Sequence, residues 1–553
     1  MSDSRTEPSP FRPQAAGSLP VRPLTLWALL IPLAHAPALL IGEGFDARIF
    51  LGVAGASAVA FLAVRLLAGG RRLDRFAARM EGASPALLAL ACALFAAITF
   101  ARSAGGLARF EEYAIAGLFS QSFWTLFHGH PFSNSQESVN GTLASHFGVH
   151  FSPTLLVLAP FYALWPGPRT LMAGQAVALA LAPVPLYALL RPRVGGAAAL
   201  MLALTLLALP IFLRAGGRDF HDACFLPAPF LAAVWALEAR RPVWLAVFVL
   251  AVLGVREDAG LAVAMFGLYA LARGHGVKTA VALAALGLGW FALATRVIIP
   301  AFGSPGIIAD PRRFFEAAFG HWGATPTAAV RGILSDPVRV LRWFATREIA
   351  QYAYSLALPL LLLPPFLDAA LLMALPGLAI NLLSRYAFMH SAAEPYSYVP
   401  LAFLTLAATS LAVRVAARAP DDRRLGAGFA AGIIVLAGAF PAALAPNLML
   451  ERAQLPPAVA HEVVRLIPGD APVYAAIALY PAMCNRETFD CWWNTGGVER
   501  NAGFRSRYAW IVLWPAADPA GDPRDRAMAE SLAADPGFAR LEGFAPLVVY
   551  QRR

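Results

Sequence analysis

The chain has 553 residues, 58% hydrophobic and 14% charged, with a mean hydropathy of +0.60. Soluble domains carry about 25% charged residues, so a water-soluble globule is excluded and a lipid bilayer is the solvent that fits. The net charge of +10 does not point to nucleic acid, because the arginines sit in short loops between apolar runs, where membrane topology accounts for them.

In chain order, residues 1–23 are polar and Pro-rich and read as a disordered cytoplasmic segment. The next apolar run lacks a small-residue cleavage site, so it reads as an uncleaved first span. A span needs about 20 apolar residues, with about 17 tolerated. Thirteen candidates follow, several of them short: 24–41, 49–67, 86–101, 170–190, 197–213, 223–237, 243–255, 259–272, 279–300, 350–364, 369–383, 398–415 and 427–445. The run 153–165 contains Pro160 and, at about 13 residues, is too short to cross. It reads as an interfacial or re-entrant helix.

With that run left out, Arg71, Arg72, Arg75, Arg79, Arg191, Arg193, Arg240, Arg241, Arg273, Lys278, Arg414, Arg418, Arg423 and Arg424 fall on one side. That side is then cytoplasmic. Segments 102–152, 214–222, 256–258, 302–349, 385–397 and the C-terminal part lie outside. Residues 447–553 alternate short apolar runs (473–477, 510–513, 547–550) with helix-like stretches (457–466, 524–534), the pattern of a small α/β domain. Cys484 and Cys491 sit close together there, and outside the cytoplasm a disulfide between them is expected.

Candidate chemistry gathers in the outer segments. The first long loop carries Glu111, Glu112, His146 and His150, acids and imidazoles able to act as a base or to hold a divalent cation. Asp219, His221 and Asp222 follow one another at a helix start; Asp222 suits a simple capping role, which leaves Asp219 and His221 for function. Arg256, Glu257 and Asp258 occupy a turn with almost no loop. Structural pairing competes there with phosphate recognition by the guanidinium. Arg385 and Tyr396 lie in a further outer loop.

The order of motifs resembles a prokaryotic membrane-protein family, domain of unknown function 2079, grouped with the GT-C glycosyltransferases. The resemblance runs from about residue 86 to the C-terminus. It is carried by Gly117 through Trp124, His128-Gly129, His146 through Pro153, Asp219 through Asp222, Arg256-Glu257-Asp258, Leu375-Pro376-Gly377, Asn381 through Ser384, Tyr396, Ile467-Pro468, Val473 and Arg486. Ile115 and Ser120 stand where the family usually carries acids, with Glu111 and Glu112 a few residues upstream.

The resemblance implies an all-α polytopic GT-C-like membrane protein with a small C-terminal α/β extracytoplasmic domain. Residues 24–68 are then two added spans, 86–446 the transmembrane domain and 447–553 the outer domain. The implied activity is sugar transfer from a polyprenyl-phosphate donor to an acceptor at the outer face of the cytoplasmic membrane. Glu111, Glu112, Asp219 and His221 are the expected catalytic set. Arg256, Glu257, Asp258, His146, His150, Arg385 and Tyr396 are expected to bind substrate. A transporter or lipid flippase, or an inactive membrane scaffold, is the alternative.

Overall fold

Proline sets where many of the helices start: its fixed φ and missing N–H suit a first helical turn, and Pro168, Pro183, Pro227, Pro242, Pro326, Pro337 and Pro457 all stand there. The structure, a computed structural model, describes residues 21–553 except 23, 27, 30, 32–46, 70, 112, 138–142, 304–310, 358–359, 361–367, 391–393, 445–454, 492–504 and 516–522. The expected spans 24–41 and 350–364 lie partly outside the described residues.

The main helices are α1 (Ala47–Ala68), α2 (Arg72–Met80), α3 (Ser84–Ala108), α4 (Ala114–Leu126), α5 (Pro168–Ala180), α6 (Pro183–Val194), α7 (Gly196–Ala208) and α8 (Pro227–Glu238). They continue as α9 (Pro242–Leu253), α10 (Ala259–Ala272), α11 (Val277–Leu293), α12 (Pro326–Ser335), α13 (Pro337–Phe344), α14 (Leu371–Leu383), α15 (Tyr398–Arg418) and α16 (Arg424–Leu444). Among the described residues, five helical stretches are long and apolar enough to cross a membrane: Leu51–Ala68, Ser84–Ala108, Pro168–Val194, Val277–Phe302 and Pro395–Arg418. Shorter apolar helices pack among them. Residues Pro153–Leu158 form a 3₁₀ helix that runs into a short α-helix, Ala159–Leu164.

Polar contacts gather at two ends of this bundle. At one end Arg193 and Arg273 both bond Glu238 (2.8 and 2.9 Å), Glu81 accepts from the Gly196 amide (2.7 Å), and Arg423 pairs with Asp74 (2.9 Å). These contacts tie the ends of α6, α8 and α10 together, and join the end of α2 to the start of α7 and its first turn to the start of α16. At the other end Arg256, at the turn between α9 and α10, meets Asp222, just before α8. Small residues let α10 and α11 approach closely: a Cβ on Gly260 would lie 2.5 Å from the Gly287 carbonyl, and one on Gly267 would lie 2.4 Å from that of Ala280.

The C-terminal part carries strands Val473–Ala475, Phe489–Asp490, Trp510–Leu513, Phe538–Leu541 and Val548–Arg552, here β1 to β5, with helices α17 (Pro457–Leu466) and α18 (Pro523–Ala533). The sheet order is β2-β1-β3-β5-β4; β1 pairs parallel with β2 and β3, and the β3–β5 and β5–β4 pairs are antiparallel. One apolar core joins this sheet to the first long loop: Phe110, Phe119, Phe123, Phe132 and Tyr162 pack with Val473, Tyr480, Phe489, Trp510 and Val512.

Buried Gln121 crosses the same boundary, donating to the Arg486 carbonyl (2.8 Å) and accepting from the Tyr480 hydroxyl (2.6 Å). Gly117 leaves room for the Tyr480 ring, which would sit 2.6 Å from a Cβ there. The expected disulfide is corrected: Cys484 and Cys491 are separate buried thiols, Cys484 Sγ donating to the Pro481 carbonyl (3.3 Å) and Cys491 Sγ to Gln136 Oε1 (3.2 Å). The Cys484 sulfur turns back onto the short helix Tyr480–Met483 that it ends, while the Cys491 sulfur turns to the first loop.

Candidate active site

The site grows from the segment after the bend at Leu209–Pro210. Gln175 on α5 grips it from below, accepting from the His221 amide (2.9 Å) and donating to the Asp219 carbonyl (3.0 Å). Phe220 is fully buried between Phe119 and Phe225. The chain bends at Asp219, whose carboxylate turns toward the start of α4, while Asp222 turns toward Arg256.

Asp219 meets the start of α4. Its oxygens accept from the amides of Ile115 (2.9 Å), Ala116 (2.8 Å) and Phe220 (2.8 Å). Tyr113, the residue before α4, supplies no side-chain cap, so a carboxylate from a distant segment satisfies the helix N-terminus. Burial pushes the Asp219 carboxyl up to about 7, against the pull of the three amides and Arg218. Both oxygens are taken by backbone, which makes Asp219 a positioning residue for α4.

Asp222 has the electrostatic role instead. It is 2% exposed, accepts from Ser152 Oγ (3.3 Å) and from the Ala223 amide (2.8 Å), and lies 3.6 Å from Arg256 Nη1. Burial alone would raise its carboxyl, but the Arg256 guanidinium, with His221 and His150, holds it far below the usual carboxylate range. Arg256 Nε also donates to Asp258 (3.1 Å). His221 Nδ1 lies 2.9 Å from Asp222 Oδ1 without the alignment of a hydrogen bond, and its ring meets Tyr396 edge-on at 6.0 Å.

Glu257 turns the other way, to accept from His150 Nδ1 (2.8 Å) and the Phe151 amide (3.2 Å). Burial and Arg256 pull the His150 imidazole down, yet the bonded Glu257 and Asp222 outweigh them and raise it above its ordinary value. Burial would raise Glu257, but His150 and Arg256 lower it. Behind His150, with ring centres 6.0 Å apart, His146 pairs with buried Glu137 (2.9 Å).

The cluster therefore joins His146, His150, His221, Arg256, Glu257, Asp258 and Tyr396 of the expected residues. Asp219 stands beside it, three residues along the same segment from Asp222. Glu111 is held by Arg109 (2.7 and 2.9 Å) near Gly106, on the α4 side of Asp219. Glu112 lies outside the described residues. Arg385 is occupied elsewhere, donating from Nε to the Ala317 carbonyl (2.9 Å). Asp222, Ser152 and Gln175 were missed. Asp222 looked like a helix cap; Gln175, a polar side chain inside an apolar run, was a readable signal.

Asp258 and His150 are the partly exposed members, and His221 is about one-fifth open. An imidazole beside a carboxylate can take a proton, and a fixed guanidinium can stabilise a developing anion. Among the described residues, no group of three or more His, Cys, Asp or Glu side chains is placed to hold a metal ion.

Two outcomes follow. Asp219→Ala removes the acceptor for the amides that begin α4, so it should cost about 1–3 kcal/mol of stability, read as a lower unfolding temperature in detergent, with His221→Ala close to the parent. The second concerns pH. Lowered Glu257 contributes stability above its ordinary 4.5 that is lost as pH falls toward its folded value. Raised His150 contributes stability below its ordinary 6.5 that is lost as pH rises through its folded value. The pair's contribution should peak between 4.5 and 6.5, and Glu257→Gln should flatten both limbs of the unfolding temperature against pH.

No curated protein matches the chain. Among solved structures, ArnT from Cupriavidus metallidurans bound to undecaprenyl phosphate is 13% identical, with a TM-score of 0.44 over 84% of this chain and 98% of that one. The Archaeoglobus fulgidus oligosaccharyltransferase in the apo form is 13% identical, with a TM-score of 0.41 over 78% of this chain and 69% of that one. Identities and scores this low assign no shared fold. The model of a family described as predicted membrane protein, DUF2079, matches residues 116–535. That match covers every segment of the cluster and most of the sheet beyond it, and the chain belongs to this membrane-protein family.

Proposed function

We propose that the protein is a membrane glycosyltransferase of the GT-C type, moving a sugar from a polyprenyl-phosphate carrier to an acceptor at the extracytoplasmic face of the cytoplasmic membrane. The observation that carries this reading is the convergence of four remote segments on one partly open cluster at one end of the bundle. They supply His150, His221 with Asp222, Arg256 with Asp258, and Tyr396. The opposite end holds Arg71, Arg193, Arg273 and Arg423. The positive-inside tendency supports a cytoplasmic placing of that end, and so an outer placing of the cluster. In this reading the chain crosses thirteen times, and the described helices that run between the two ends, with the C-terminal sheet packed on the first loop, support that course for the spans they cover.

In this reading His221 accepts the proton of the acceptor hydroxyl. The acceptor oxygen bonds to the anomeric carbon, whose bond to the phosphate oxygen breaks, and polyprenyl phosphate leaves. Arg256 stabilises the charge that builds on the departing phosphate, held in place by Asp222 and Asp258. Asp219 fixes the start of α4 and so the position of Glu111.

The test is turnover of polyprenyl-phosphate hexoses by the full chain in membranes, read as released polyprenyl phosphate. Arg256→Ala should lower turnover by about 100-fold or more, and His221→Ala should lower it while leaving the protein folded. Parent-level turnover in both variants rules out these roles.

A further inference from the structure

Two short helices outside the cluster, α12 and α13, carry a surface that water does not suit. Each has its own start signal: Thr325 Oγ1 accepts from the Ala328 amide (3.2 Å), and the Asp336 carboxylate from the Arg339 amide (2.9 Å). One side of the pair is fixed to the bundle. The indoles of Trp322 and Trp343 donate to the Leu383 and Leu382 carbonyls (both 2.7 Å), at the C-terminal end of the apolar helix α14. Gly332 sits against Trp322, whose carbonyl would lie 2.2 Å from a Cβ there, and the Arg339 guanidinium lies over the Trp322 ring at 5.4 Å.

The other side is apolar and open. Val330 and Leu334, four residues apart, form a stripe on α12; Val338 and Leu341, three apart, form one on α13. Leu334 is 77% and Leu341 69% exposed, and Val330, Val338 and Phe344 are exposed too. Arg331 and Arg342 are exposed beside these stripes, with Arg347 just beyond. Thr327, Val330, Arg331, Leu334 and Ser335 line a shallow groove on this side.

The hairpin also stands at the level where helices leave the bundle. It follows the long apolar stretch Val277–Phe302, whose last residue packs on Phe147 of the first loop at 5.4 Å. Its two anchoring indoles sit at a helix end, as interfacial tryptophans do at the membrane–water boundary.

We infer that α12 and α13 form an interfacial anchor that lies flat in the bilayer surface. The apolar stripes enter the acyl boundary, and Arg331 and Arg342 reach back to the phosphates of anionic lipids. Long cationic side chains can bury their stems in apolar surroundings while their heads stay with the headgroups. The positive charge of this open side selects the anionic surface over a neutral partner.

The test places single cysteines at Leu334→Cys and Leu341→Cys in the full chain, whose four native cysteines are buried. Each is labelled with an environment-sensitive fluorophore and reconstituted in phosphatidylcholine vesicles with a minor fraction of phosphatidylglycerol. Spin labels high on the acyl chain should quench both positions several-fold more than aqueous iodide does. Added Arg331→Ala and Arg342→Ala should weaken that quenching where phosphatidylglycerol is present. Quenching by iodide alone overturns the inference. So does shielding from both quenchers together with cross-linking between copies, which assigns the face to protein contact. Equal quenching with and without the arginines overturns the headgroup contact.

Discussion

Arg256 is the constraint on which the rest of the cluster depends. A guanidinium keeps its proton under any ordinary condition, so burying it demands carboxylates, and Asp222 and Asp258 supply them. Losing one partner of such a set is costly, because the remaining charge stays buried and uncompensated. The turn between α9 and α10 is thereby tied to the segment before α8, and through Glu257 to the His150 segment. Backbone supports hold the frame from outside: Gln175 takes the 219–221 stretch, and Asp219 takes the beginning of α4.

That frame extends into the C-terminal sheet. Helix α4 begins on Asp219 and, within two turns, presents Gly117 and Gln121 to Tyr480 and the Arg486 loop. Arg486 is itself buried and satisfied by carbonyls, with Nε on Met483 and Nη1 on Ala471. The first loop and the sheet share one apolar core, so a change at either reaches the other by packing alone.

Much of this was legible in the sequence, for physical reasons. The apolar runs at 86–101 and 279–300 fall within helices Ser84–Ala108 and Val277–Phe302, because run length and polarity are what a bilayer selects. The stretch 457–466 is helix α17 as written, and the runs at 473, 510 and 547 fall on strands β1, β3 and β5. Strands β2 and β4 gave little signal; Phe489–Asp490 is too short to show alternation. Within the site, residue types were readable but roles were not. Asp219 and Asp222 are both acids beside a helix start. Only the fold shows that the first satisfies α4, far off in sequence, while the second faces Arg256. Proximity along the chain also misled for Cys484 and Cys491, which packing separates.

The central claim is that this acid, imidazole and guanidinium cluster opens to the outside of the cell. Asp258→Cys places a thiol at the half-open edge of the cluster, and Arg79→Cys places one on exposed α2 at the arginine-rich end. The direct measurement is labelling of both by a membrane-impermeant maleimide in intact cells. The account predicts that the first is labelled before permeabilisation and the second only after it. Labelling in the reverse order would contradict it.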